Sequence, residues 1–126
     1  MPLEDYQILK QIGGGSMGTT YHAQLDSKDV CLKIFNFNVP ASGETRSKLL
    51  QLFGREAHTL DQFDHPYLTD LIDHNLDVKE AEERYIAMEY VEGMNLREHV
   101  ERQGTLREPE AARMALQVLD GLDYLH

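Results

Sequence analysis

The chain has 126 residues, enough for one domain with a modest core, and carries a formal net charge of −10. That charge, with a sequence pI near 4.9, excludes a broad basic surface for DNA or RNA. The only cysteine, Cys31, cannot form an internal disulfide; no apolar run approaches a membrane span, and the first residues, MPLEDYQ, lack a basic region or apolar core. A cytoplasmic chain that binds neither nucleic acid nor membrane is the expectation.

Tyr6–Ile12 and Thr19–Leu25 read as two strands joined by the turn GGGSMG, Gly13 to Gly18. Glycines let the backbone turn tightly and bring N–H groups close to an anion. The GxGxxG spacing also marks the dinucleotide fold and ordinary hairpins, so the residues after Gly18 decide between them. A dinucleotide site opens a helix there, whereas Thr19, Thr20 and Tyr21 are β-branched or aromatic, and Tyr21, Ala23 and Leu25 alternate. The glycines therefore turn strand into strand. After a polar turn at Asp26–Lys28, the run Val30–Phe35 encloses a single charge, Lys33, which either points to solvent from an edge strand or needs a partner.

Asn36–Glu44, with Pro40 and Gly43, reads as a loop. From Arg46 to Phe63, Leu49, Leu52, Phe53, Ala57, Leu60 and Phe63 recur at helical spacing. Glu56 lies on or beside that apolar stripe, where an unpaired charge costs several kcal/mol, so Lys33 is its natural counter-ion. Gly54 weakens the helix by about 1 kcal/mol, which makes its first part a separate turn or the whole helix movable. Tyr67–Leu76 and Arg84–Val91 are two further expected strands, separated by the solvated run DVKEAEE. Beyond Gly93, Leu96–Arg102 forms a short helix ended by Gly104. A longer helix begins near Pro109, which would leave Glu108 outside it, or earlier, since Thr105 to Glu108 has capping-box spacing; Ala111, Met114, Ala115, Val118, Leu119, Leu122 and Leu125 give it an apolar face.

The pattern predicts an α+β fold: a five-stranded antiparallel sheet with one packed helix, followed by two helices of an incomplete helical lobe. Other constellations are weak. The histidines, His22, His58, His65, His74, His99 and His126, lack the spacing of a zinc site and read as surface or turn residues. Asp61, Asp64, Asp70 and Asp73 read as solvated, and Met88, Met94 and Met114 as packing residues.

Taken in order, these segments resemble the N-terminal part of a protein kinase of the serine/threonine type. Ile12–Thr20 resembles the glycine-rich loop, Val30–Lys33 the strand with the phosphate-binding lysine, and Glu56 in REAHTL the helix glutamate that pairs with it. His65 and Pro66 resemble the turn after that helix, Met88–Gly93 the gatekeeper and hinge, and the final GLDYLH the helix leading to the catalytic loop. Three positions depart from the pattern: Thr20 stands where valine is usual, Cys31 where alanine is, and Met17 where an aromatic tip is.

The resemblance implies an ATP site. Gly13, Gly14, Gly15, Ser16, Met17 and Gly18 would cover the phosphates, and Lys33, held by Glu56, would contact the α- and β-phosphates. Ile12, Thr20 and Cys31 would roof the adenine, with Met88 behind it. Glu89 and Val91 would bind its edge through their backbone, and Asn95 would reach the ribose. Residues 1–91 would be the smaller lobe and hinge, and 92–126 the start of a helical lobe. The HRD and DFG motifs occur nowhere in the 126 residues, so the chain contains no catalytic aspartate and no magnesium ligand of that family. It is therefore expected to be the ATP-binding portion of a kinase and inactive alone. The alternative is a non-catalytic module that binds a partner kinase or itself through the apolar face of the last helix.

Overall fold

The computed structural model describes residues 2–15, 18–35, 43–77 and 83–125. Ser16, Met17, most of the loop before the first helix, most of the DVKEAEE run and His126 lie outside the described residues, as does the side chain of Leu125. The chain forms two compact units, Met1–Asp64 with Thr69–Tyr90, and His65–Leu68 with Val91–His126.

The first unit is a five-stranded antiparallel sheet of β1 (Gln7–Gly14), β2 (Gly18–Leu25), β3 (Lys28–Phe35), β4 (Leu71–His74) and β5 (Tyr85–Glu89), with a helix α1 (Gly43–Gln62). The spatial order is β1-β2-β3-β5-β4, so β3 is the central strand. Asp26 (φ 50°) and Ser27 (φ 67°) turn β2 into β3 as a two-residue hairpin loop, whose positive φ values match the strand twist. Helix α1 runs unbroken through Gly54, so of the two options a separate first turn does not form. Phe53 and Ala57, buried on either side of that glycine, supply packing that outweighs its low propensity.

Successive β3–β5 pairs alternate faces. Leu32 opposite Ala87 lies on one, with Tyr6, Ala23, Val30 and Tyr85; Ile86, opposite Lys33, lies on the other with Phe35, Phe53 and Ala57. The Phe35 and Phe53 rings meet edge-on, 5.6 Å between centroids, and pin α1 to the second face.

Two polar groups are more deeply built in than their residue types and spacing suggest. Asp73 is not merely solvated: its Oδ2 accepts from the hydroxyls of Tyr6 at 3.2 Å and Tyr85 at 2.9 Å. Burial pushes the Tyr6 hydroxyl up to about 12 and that of Tyr85 still further, with the nearby Asp73 carboxylate adding to both. Asn75 is buried and stitches β4 to β5: its Oδ1 accepts from the Tyr85 N–H at 2.8 Å and its Nδ2 donates to the Glu83 carbonyl at 2.6 Å.

Strand β4 is much shorter than the expected Tyr67–Leu76. Tyr67 and Leu68 belong instead to a turn in the second unit, closed by the Tyr67 N–H donating to His65 Nδ1 and the Leu68 N–H donating to the His65 carbonyl. That unit also holds α2 (Leu96–Gln103) and α3 (Glu108–Leu125). Gly104 ends α2 at φ 83°, a conformation that favours glycine. Glu108 lies inside α3, contrary to the start at Pro109, and the helix begins there rather than after a Thr105 cap, because the first intrahelical bond runs from the Ala111 N–H to the Arg107 carbonyl. Pro109 then occupies a first-turn position whose N–H has no helical partner to lose.

The His65 turn seats on α3. Its imidazole lies 3.6 Å from the Asp120 carboxylate and packs against the Tyr124 ring, while Leu68 lies over Gly121. Gly121 is the one buried residue among the described side chains and backbone of α3; Leu116, Val118, Leu119 and Leu122 are exposed.

Candidate functional site

Lys33 sits in the central strand, hydrogen-bonded between β2 and β5, so the option of an edge-strand lysine facing solvent does not apply. Its register partners are Thr20 and Ile86, which places its side chain on the face covered by α1. There its Nζ donates to Glu56 Oε2 at 2.8 Å. The periodicity of α1 explains the meeting: Glu56 falls between the buried Phe53 and Ala57, and its carboxylate reaches from the rim of the apolar stripe. The lysine side chain is 19% exposed and that of Glu56 33%, so water only partly screens the pair. The Phe53 ring lies 6.0 Å from the ammonium and flanks it.

The glycine turn stands beside this pair. Gly13 and Gly14 are paired residues of β1, opposite Thr20 and Thr19, and the Gly15 N–H donates to the Gly18 carbonyl at 2.9 Å to close the turn. Gly18 is buried, and a Cβ there would lie 2.5 Å from the Ile34 carbonyl oxygen and 3.6 Å from Lys33 Cγ. Glycine at 18 is therefore required by the approach of β3, and that same approach sets the lysine against the turn. Among the described residues, nothing lies within 4 Å of a Cβ position at Gly15. An ammonium held in place beside a glycine turn is a donor set that suits a polyphosphate.

The other expected residues are distributed as follows. Thr20 and Cys31 share the face of Lys33, and Cys31 pairs with Met88 across β3 and β5. Cys31 is half-buried, and burial pushes its thiol above the usual range, Lys33 opposing this only in part; it remains a neutral packing group. Ile12 near the end of β1 is exposed. The Glu89 N–H donates to the Asp70 carbonyl at 2.9 Å, fixing the end of β5. Val91 and Asn95 belong to the second unit. Val91 is exposed, and Asn95 caps α2, its Oδ1 accepting from the Glu98 N–H and its Nδ2 donating to Glu98 Oε1, both at 2.8 Å.

One cluster carries no motif in the sequence. His22 Nε2 lies 2.9 Å from Asp29 Oδ1, Gln24 donates to the same oxygen at 3.1 Å, and the imidazole stacks on Tyr90 with centroids 3.9 Å apart. Hydrogen bonds from Gln24, then His22, hold the Asp29 carboxyl below the usual carboxylate range. The hairpin register that sets Gln24 opposite Asp29 is the one signal that could have placed them together; nothing local announces the Tyr90 stack. Among the described residues no group of three or more histidine, cysteine, aspartate or glutamate side chains is arranged to hold a metal ion, and no helix is long and apolar enough to cross a membrane.

A five-stranded antiparallel sheet, one helix carrying a glutamate to the central-strand lysine, and a glycine turn beside them form the α+β lobe architecture of a kinase. Residues 6–126 match the protein kinase domain, and the chain belongs to that family. It is 34% identical over 123 residues to the serine/threonine-protein kinase PrkC of Bacillus subtilis, covering 96% of this chain and 18% of that protein. It is 30% identical over 125 residues to the probable serine/threonine-protein kinase PknB of Lactococcus lactis, covering 96% of this chain and 19% of that one. The kinase domain of PknI from M. tuberculosis aligns with the whole chain at a TM-score of 0.69 and 25% identity, with 49% of its own length covered. The chain thus spans less than a fifth of these curated relatives and about half of the solved kinase domain. It is a partial kinase domain. The family in general uses ATP and magnesium and acts on proteins.

Proposed function

We propose that this chain is the ATP-binding portion of a serine/threonine protein kinase, with residues 1–91 forming the smaller lobe and hinge and 92–126 the start of the helical lobe. The observation that carries this reading is the 2.8 Å Lys33–Glu56 pair beside the Gly18 turn. Bound ATP would supply the phosphoryl group. Lys33, aimed by Glu56, would neutralise charge on the α- and β-phosphates, and the backbone of Gly13 to Gly18, with Ser16 and Met17, would cover them. Ile12, Thr20 and Cys31 would roof the adenine, Met88 would back it, and Glu89 and Val91 would bind its edge through backbone groups. Asn95 would reach the ribose only by exchanging its cap contacts for that bond.

In the whole protein the reaction would be transfer of phosphate from ATP to a serine or threonine hydroxyl in the cytoplasm, magnesium being held by the DFG aspartate and the asparagine of the catalytic loop. Because the 126 residues contain neither HRD nor DFG, this chain by itself would transfer no phosphate and bind ATP weakly. A second reading, a non-catalytic module that binds itself or a partner kinase, is favoured by the exposed Leu116, Val118, Leu119 and Leu122 of α3. It makes association depend on concentration, which sedimentation would detect.

The test is a thermal-unfolding titration of the chain with ATP, with and without magnesium. Binding to the folded state raises the midpoint, and Lys33→Ala abolishes the rise. A cooperative transition that ATP does not move would overturn the nucleotide reading.

A further inference from the structure

The His22, Asp29 and Tyr90 cluster supplies none of the nucleotide contacts assigned to the site, yet it adjoins them. In β2, His22 is two residues beyond Thr20 on the same face, and its register partner is Cys31, so it continues the row of residues proposed to roof the adenine. Tyr90 directly follows Glu89, whose carbonyl the nucleotide reading assigns to the adenine edge. The two rings are stacked nearly parallel, 6° apart with centroids at 3.9 Å. The imidazole is not free to leave: Asp29 Oδ1 holds its Nε2 at 2.9 Å and is itself held by Gln24 at 3.1 Å. On the other side, the Glu89 N–H is anchored to the Asp70 carbonyl. The short segment carrying the Glu89 carbonyl is thus pinned at both ends, to β2 through the stack and to the start of β4 through Asp70.

We propose that His22 is a positioning residue for the nucleotide base: by stacking on Tyr90 while Asp29 clamps its ring, it fixes the distance between the roof of the adenine slot and the backbone that reads the adenine edge. The inference rests on the nucleotide reading and adds to it a residue that touches neither phosphate nor base. Its effect is selective. The stack bears on the base end of the site, whereas the Lys33–Glu56 pair and the glycine turn bear on the phosphates, so loss of His22 weakens binding of the base and leaves polyphosphate binding alone.

The experiment is calorimetric titration of the full chain and its variants with ATP and, separately, with inorganic tripolyphosphate. His22→Ala weakens ATP about three- to tenfold, the range set by one stacked aromatic pair, and leaves tripolyphosphate within twofold. His22→Phe, which keeps a stacking ring but loses the Asp29 clamp, recovers the part of the ATP affinity that stacking supplies and not the part set by the clamp; a purely structural role for the His22–Asp29 bond would allow no recovery. Unchanged ATP affinity in His22→Ala, equal loss for both ligands, or no rescue by phenylalanine overturns the inference while leaving the nucleotide reading intact. A wild-type chain that binds no ATP refutes that reading and this inference with it.

Discussion

Alanine at two glycines of one turn should have opposite effects. At position 18 a Cβ would lie 2.5 Å from the Ile34 carbonyl oxygen and 3.2 Å from its carbon, both backbone atoms of the paired strand. No side-chain rotation relieves that contact, so β2 and β3 must separate locally where Gly18 pairs with Phe35. Overpacking of this kind costs about 1–3 kcal/mol. At position 15 no described residue lies within 4 Å of a Cβ, and the residue is not among those with positive φ, so alanine fits. There the smaller conformational freedom of the unfolded chain stabilises the fold by about 0.4–1 kcal/mol. Urea unfolding followed by circular dichroism reads both effects: with a slope of about 1–3 kcal/mol per molar, Gly18→Ala lowers the midpoint by roughly 1 M and Gly15→Ala raises it by a few tenths. If Gly18→Ala unfolds at the wild-type midpoint, the strand-contact argument fails, and glycine at 18 answers to a ligand rather than to packing.

Two further outcomes concern polar groups that no sequence motif marks. Asn75→Ala removes the acceptor for the Tyr85 N–H and the donor for the Glu83 carbonyl at a buried position, and should cost about 2–3 kcal/mol by denaturant unfolding, against about 1 kcal/mol for Asn95→Ala at the exposed α2 cap. Equal losses at the two sites would refute this ranking. The raised ionisations of Tyr6 and Tyr85 mean that the folded state holds these protons more tightly than the unfolded state. Their contribution is therefore complete below pH 10 and is lost as pH climbs from the ordinary tyrosine value of 10.0 through about 12. Melting temperature measured from pH 9 upward should fall, and fall less steeply in Tyr6→Phe; identical slopes would contradict the assignment.

Patterns carried by a few neighbouring residues are legible in the sequence itself. Alternation from Tyr21 to Leu25, helical spacing from Leu49 to Leu60, a glycine turn between strands and a carboxylate set in an apolar stripe are local, and local backbone geometry answers to them directly. So the sheet-plus-helix class, the unusual standing of Lys33 and the complementary charge at Glu56 can be read from the sequence. The ends of elements are less legible: the apolar Tyr67 and Leu68 read as strand, but His65 turns them into the second unit, and Glu108 joins α3 because an orphan N–H position tolerates Pro109.

Tertiary structure decided the rest, because each remaining feature depends on which distant residue arrives opposite. Pairing of β5 along the edge of β3 not taken by β2 makes β3 central and leaves Lys33 to pair with α1 instead of solvent. Tyr6 and Asp73, separated by 67 positions, meet only once the sheet has closed, and the His22 stack on Tyr90 arises the same way. Gly18 illustrates the division well. Its residue type and its place in the turn are plain from the sequence, but the carbonyl that requires it belongs to another strand, and a linear pattern contains no distances between strands.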